Sequence, residues 1–363
     1  MRVVAAPDSF KGTISAAAAA AALASGWLRV RPGDEVIELP LADGGEGTLA
    51  VLAAAAPDAR WHRAEVSGSA GAQVQALWLE MAGNVAVVEL ARAAGLTQLS
   101  ELRPMIAHSY GVGELIASAL DAGASRILIA LGGSACTDGG TGALAALGAR
   151  FTDAAGAVLP LGGGALRKLA GIDLTGLRPP PEGGVSCLTD VRAPLLGPAG
   201  AAAVFGPQKG AGPVEVAALD AGLARLAGLL GGDPEEAGAG AAGGCGYGLA
   251  AAWGAQLLPG AAELAVIAGL PGALEVADLV ITGEGQYDES SENGKVVGAV
   301  RAMAAAAPAG PVPVAVVAGR VSVNLPPGVL AVELAALAEG TQAAQAEPAR
   351  WLTEAGALIA AAV

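Results

Sequence analysis

The chain has 363 residues, more than one ordinary domain holds, so two domains are expected. Its 34 acidic residues against 20 basic ones leave a net charge of −14, which excludes a nucleic-acid footprint and argues against an anionic membrane surface. Three cysteines without a C-x-x-C pair and two histidines make no zinc pattern, and a reduced, cytoplasmic setting is expected.

A strand-then-helix rhythm runs along the chain. RVVAAP reads as a buried strand and the alanine-rich stretch Ser15 to Arg29 as the helix after it. EVIELP is a second strand, followed by a loop and the helical TLAVLAAAA. VQALWLE and VAVVEL suit a hairpin joined by AGN. SYGVGELIASALDAG is a helix, RILIAL a strand, GALAALGARF a helix and VSCLTD a short strand. PVEVAALDAGLARLAGLLG is a helix with proline in its first turn. ADLVITGEG is a strand, GKVVGAVRAMAAAA a helix, PVPVAVVAG a strand and EPARWLTEAGALIAAAV a closing helix.

Such alternation predicts an α/β protein with parallel sheets and helices on both faces. The hairpin-like segment from about Trp61 to Leu90 breaks the rhythm, and the last three elements return to it. A first domain interrupted by a second is the expected organisation: 1–64 with 288–363, and 65–287 inserted. The N-terminal MRVVAAPDSFKG carries no signal-peptide pattern. The uncharged span Gly238 to Ala262 is rich in glycine and holds Pro259, so no membrane helix is expected there.

In parallel sheets, ligands bind beyond the carboxyl ends of the strands. The segments there are PDSFKG, LADGGEGT, GGSACTDGG, TDVRAPLLG, GPQKGA and GEGQYDESSENGK. Each taken alone reads as a turn, because turns select Gly, Asp and Ser. Six together, each carrying small residues with a carboxylate or an ammonium, read as a site. Glycine-rich loops that open helices bind phosphate through exposed N–H groups. Lysines neutralise phosphate oxygens, carboxylates hold Mg²⁺, and one more carboxylate accepts a proton from a hydroxyl. Those parts fit phosphoryl transfer. The chain has no G-x-x-x-x-G-K-[ST] sequence. GAGAAG at Gly238 to Gly243 matches G-x-G-x-x-G, but it follows a polar loop rather than a strand and reads as crowded backbone.

APDSFKGTISA, LPLADGGEGT, SYGVGELI, LGGSACTDGG, VFGPQKGA, GAGAAGG and DLVITGEGQYDESSENGK resemble, in order, the motifs of the bacterial glycerate kinase family, type 1, which act as glycerate 2-kinases. The resemblance implies ATP- and Mg²⁺-dependent phosphorylation of D-glycerate to 2-phosphoglycerate. It implies two α/β domains, one flavodoxin-like and one inserted into it, with the active site in the interdomain cleft. A kinase for a related small hydroxy acid, or a catalytically weakened nucleotide- or metabolite-binding relative, are the alternatives. Expected partners are the small-molecule acid and a second copy in a homodimer, with no nucleic acid and no membrane. The chain departs from the family at Cys136 and Thr137, where Thr-Asn is usual, at Ala193, where Asn is usual, and at Ser290 and Ser291, where Gln-Thr is usual.

The roles then expected are these. Asp190 is the general base for the substrate hydroxyl, with a turn cap as its plain structural reading. Lys11 and Lys209 act catalytically on phosphate or carboxylate. Asp8, Ser9, Asp43 and Arg192 contact the substrate, Arg192 by a bidentate carboxylate pair. Gly132, Gly133, Ser134 and Asp138 cradle the nucleotide, and Gly283, Glu284, Gly285 and Lys295 form its second wall. Glu46 and Asp288 are the metal ligands. His108 reads as a helix-start residue and His62 as structural or exposed.

Overall fold

Alternating Val3 and Ala5 against Val4 and Ala6 set the architecture of the N-terminal strand. The first pair packs with Leu23, Trp27 and Leu352 on one face of a sheet, the second with Leu270, Leu274 and Val300 on the other. Period-two burial on both faces is what a central parallel strand requires. The structure is a computed structural model that describes the chain except Lys11, Asn293 and residues 324–328. The strands are β1 (Arg2–Ala5), β2 (Glu35–Glu38), β3 (Arg60–Ser67), β4 (Gln73–Met81), β5 (Val85–Glu89), β6 (Arg126–Ala130) and β7 (Arg150–Thr152). They continue as β8 (Gly171–Asp173), β9 (Val185–Leu188), β10 (Gln256–Leu258), β11 (Leu279–Tyr287), β12 (Val314–Val321) and β13 (Leu330–Glu333).

Two compact units emerge. The first comprises Met1–Asp43, Ala50–Pro57 and Pro259–Val363, the second Gly44–Leu49 and Asp58–Leu258. In the first, the strand order is β2-β1-β11-β12-β13, all parallel. Counted within the unit this is 2-1-3-4-5, the flavodoxin order, with its switch point between β1 and β11. The expected boundary at residues 287 and 288 placed the segment Leu279–Tyr287 in the inserted unit. The structure pairs it with β1 in register Val3 to Leu279, so the return to the first unit comes earlier, at Pro259. The run LVIT is buried on both sides, as a central strand of that sheet requires.

Helices Ala16–Val30 and Pro348–Ala362 pack closely on one face of this sheet. A Cβ at Gly26 would lie 1.9 Å from Thr353 O, and one at Gly356 2.3 Å from Leu23 O. Glycine at these two crossings therefore sets the interhelical distance.

The second unit has a six-stranded sheet, β10-β9-β6-β5-β4-β3. From β5 through β10 it is parallel, whereas β3, β4 and β5 form an antiparallel meander. The AGN turn joins β4 to β5 with Gly83 at φ 75° and Asn84 at φ 57°, the left-handed pair that a tight hairpin demands. The predicted helix GALAALGARF stops at Ala146. Gly148 breaks it at φ 108°, and Arg150–Thr152 becomes β7, pairing antiparallel with β8. No helix among the described residues is long and apolar enough to cross a membrane.

Candidate functional site

In the first unit a cavity of about 470 Å³ opens at the switch point between β1 and β11. Asp8, Ser9 and Phe10 follow β1, and Glu284, Gly285 and Gln286 end β11. Asp43, Asp288 and Lys295 line it as well. The main chains of the two strand ends are tied together, since Asp8 N donates to Gly283 O at 2.8 Å. Gly283 and Gly319 serve packing: a Cβ at Gly283 would lie 2.0 Å from Val317 O, and one at Gly319 2.4 Å from Gly285 O. Lys11 lies outside the described residues.

The two acids at the end of β11 are driven in opposite directions. Glu284 is 7% exposed, and among the described residues its Oε1 is buried without a hydrogen-bond partner. Burial pushes its pKa up, against the Ser291 hydroxyl and the Lys295 ammonium. Asp288 accepts from the Ser290 hydroxyl and, at 2.9 Å, from the Ser290 amide, which hold its pKa below the usual carboxylate range. Lys295 Nζ stands 4.0 Å from Glu284 Oε2 and 3.9 Å from Asp288 Oδ1. Divergent carboxyls sharing one ammonium are a common signature of acid–base or ion-binding chemistry. Ser290 and Ser291, two of the departures noted in the sequence, both contact this pair: Ser291 Oγ also accepts from Asp288 N at 2.9 Å.

The sequence reading missed the far wall, made by Arg320, Leu334, Thr341, Gln345 and Pro348. Arg320 directly follows the glycine-ended strand PVPVAVVAG, so the strand-end rule that found the other loops reaches it as well. Thr341 and Gln345 carry no local motif, and only the tertiary fold brings them here.

In the second unit the loop after β6 holds LGGSACTDGG. Several of its donors are spent on the protein itself. Gly132 N donates to Gly44 O at 2.9 Å, Ala135 N to Ala94 O at 2.8 Å and Gly139 N to Gly243 O at 3.0 Å. Asp138 is fully buried and accepts from Ser109 N, Ser109 Oγ, Gly140 N and Gly142 N. Gly132 and Asp138, both expected at the nucleotide, make these structural contacts, and four protein donors ring the Asp138 carboxylate.

Ser134 is 8% exposed and Lys209 2% exposed. Lys209 Nζ donates to Ser134 Oγ at 2.9 Å and to Cys136 O at 2.5 Å. Burial pushes the Lys209 pKa down. Its ammonium thus stitches the glycine-rich loop from behind instead of standing in solvent. The GAGAAG stretch packs on the same loop. Ala242, Gly243 and Gly244 are left-handed, and a Cβ at Gly243 would lie 2.2 Å from Cys136 O. That close approach of two loops accounts for its glycines.

Around this loop, Gly133 faces Glu46, whose Oε1 accepts from Thr97 Oγ1 at 3.1 Å. Glu89, unmentioned by the sequence reading, is 2% exposed and accepts from Gly47 N and Leu49 N at 3.3 Å each. Burial pushes its pKa up, and Arg92 lies 3.6 Å away. A lone acid closing the apolar strand VAVVE is the signal that could have found it. Asp190 is half-buried and Arg192 exposed in the segment that follows β9, the neighbour of β6. His108 N donates to Ser69 O at the start of helix Tyr110–Asp121, and His62 stacks on Trp78 with ring centroids 3.9 Å apart. Of the expected metal ligands, Glu46 belongs to the second unit and Asp288 to the first. Among the described residues no group of three or more His, Cys, Asp or Glu side chains is placed to hold a metal ion.

The sequence profile of the glycerate kinase family matches residues 3–363. The glycerate 2-kinase of Escherichia coli K12 is 42% identical over 307 residues, covering 82% of this chain and 80% of that protein. The glycerate kinase of Bacillus subtilis 168 is 42% identical over 333 residues, 89% and 86% of the two chains. A crystal structure from Salmonella typhimurium LT2, named as a glycerate kinase 2, superposes with a TM-score of 0.83 at 38% identity over 100% of this chain and 98% of the other.

Proposed function

The chain belongs to the glycerate kinase family, and on that footing we propose that it transfers the terminal phosphoryl group of ATP to D-glycerate, giving ADP and 2-phosphoglycerate. The observation that carries this reading is the acid-lined cavity at the β1–β11 switch point, with Glu284 Oε1, which has no hydrogen-bond partner among the described residues, in its wall.

In this reading the C2 hydroxyl oxygen forms a bond to the γ-phosphorus while the bond to the β-phosphate bridging oxygen breaks. The hydroxyl proton passes to Asp190, which stands at a strand end where a ligand can reach it. Arg192 pairs with the glycerate carboxylate, and Asp8, Ser9 and Asp43 bind its hydroxyls. Lys295 and, by its place in the sequence motif, Lys11 face phosphate oxygens.

The donor set fits a divalent cation. Asp8, Asp43, Glu284 and Asp288 outnumber Lys295 and Arg320 around the cavity, so a polyphosphate meets a net negative wall. Asp288, held ionised, is the better ligand, and the exposed Glu46 is the other carboxylate in this reading. Mg²⁺ is usually held by one or two carboxylates together with phosphates, which suits a chain without an all-protein cage. When bound, it would offset the charge developing on the transferred group. The cytoplasm, which supplies ATP, is the compartment this chemistry suits.

The test is incubation of the purified chain with ATP, Mg²⁺ and a panel of short hydroxy acids, with ADP as the readout. D-glycerate is the expected best acceptor. A different acid turned over faster would replace it, and bound nucleotide with no ADP from any acid would overturn the kinase reading.

A further inference from the structure

Lys209 is an unusual way to bury a charge. Lys has three donors and no acceptor, and an ammonium taken from water normally demands a carboxylate. Here its two hydrogen-bond partners are neutral oxygens, Ser134 Oγ and Cys136 O. The carboxylate of the same loop, Asp138, is already committed to Ser109, Gly140 and Gly142. The lysine is locked in place by the turn Pro207–Lys209, which ends at Gly210 with φ 91°. A Cβ at Gly210 would lie 2.8 Å from Leu102 Cβ, so this turn has no slack.

The arrangement has a consequence for Ser134. A hydroxyl offers one donor and two acceptor positions. Its oxygen accepts from Lys209, so its proton must point away from the ammonium. The adjoining positive charge makes that proton a stronger donor. Ser134 retains 8% exposure in the loop at the carboxyl end of β6, where ligands of parallel sheets bind. A second hydroxyl of the loop, Thr137 Oγ1, is buried with no hydrogen-bond partner among the described residues.

We propose that Lys209 is a positioning residue which never touches the ligand, and that it turns the Ser134 hydroxyl into a dedicated donor to a phosphate oxygen of the nucleotide. This rests on the phosphotransfer reading only in taking the anion to be a nucleotide phosphate. It replaces direct phosphate binding by Lys209 with action through Ser134.

The experiment is calorimetric binding of Mg²⁺–ADP to the full chain, which needs no turnover. Four proteins are compared: wild type, Ser134→Ala, Lys209→Met and the double variant. Ser134→Ala should weaken binding roughly 10-fold, the loss expected for one hydrogen bond to a charged group, and should lower the melting temperature because the buried Lys209 loses one of its acceptors. Lys209→Met should weaken it at least as much, and the double variant should bind no worse than Lys209→Met alone. If Lys209→Met does not fold, Ser134→Thr decides: it keeps the hydroxyl and should restore most of the affinity lost in Ser134→Ala. The proposal is overturned by wild-type affinity in Ser134→Ala, by losses that multiply in the double variant, or by a wild-type chain that binds no ADP. A wild type that binds ADP but phosphorylates no acid would sink the kinase reading and leave this comparison readable.

Discussion

Asp138 Oδ2 accepts both the main-chain N–H of Ser109, at 2.8 Å, and the Ser109 hydroxyl, at 2.9 Å. One buried carboxylate thereby fixes the loop after β6 to the start of helix Tyr110–Asp121. Removing it leaves four donors facing an apolar gap. Asp138→Ala should lose about 3–5 kcal/mol of unfolding free energy in denaturant titration, as other buried networks do when one charged partner goes. A loss within experimental error of zero would show that the donors find other acceptors.

Glu284 gives a pH dependence with a definite sign. Its folded-state pKa is raised by burial, so the folded chain holds this proton more tightly than the unfolded chain. The stabilisation from that proton is present below the ordinary glutamate range and is lost as pH rises through the raised value. Glu284→Gln removes the titration with little change of shape. It should melt above wild type at about pH 8 and converge with it at about pH 4. A wild type that melts above Glu284→Gln at the higher pH would mean that the charged form is the favoured one.

Thr137 offers the opposite experiment. Its Oγ1 is buried without a partner among the described residues, a desolvation cost with no return. Thr137→Val keeps the volume and removes the hydroxyl, and should stabilise the chain by about 1 kcal/mol in urea titration. Destabilisation of that size would reveal a partner for this hydroxyl.

Gly243 combines φ 66° with a Cβ position 2.2 Å from Cys136 O. Gly243→Ala must push the two loops apart, at about 1–3 kcal/mol for the overpacking alone. Because the displaced carbonyl is the one that binds Lys209, nucleotide affinity should fall with stability. An alanine variant as stable and as tight-binding as wild type would show that the contact is not tight.

Asp190→Asn keeps the size of the expected base and removes its proton affinity. Turnover should fall roughly 100- to 10,000-fold while ATP binding is nearly unchanged. Unaltered turnover would move the role of base elsewhere, with Asp8 and Asp43 as the nearest alternatives in kind.

Most of the fold was readable because many of its strands are short apolar runs closed by proline or glycine. RVVAA, RILIA and VAVVAG could be placed without ambiguity of period. The pair β7 and β8 was not, because Phe151 continues an alanine-rich helical pattern and only Gly148 hints at the break. The boundary between the units was misplaced because β11 pairs on one side with β1, which lies far away in sequence. At the site, the acids that follow strands were legible from loop chemistry. The opposite shifts of the two acids were not, since burial raises the pKa of Glu284 while hydrogen bonds from Ser290 lower that of Asp288. The glycines of LGGSACTDGG suggested a phosphate cradle, and of these Gly132 and Gly139 make close contacts and hydrogen bonds inside the protein. Loop composition reports that backbone approaches something closely, and cannot say whether that is a ligand or another loop.

The most direct test of the central claim is phosphorus NMR of the purified chain with ATP, Mg²⁺ and D-glycerate. The expected result is a phosphomonoester at the C2 position growing in step with ADP. ADP formed without any phosphoglycerate, or ATP unchanged while bound, would contradict it.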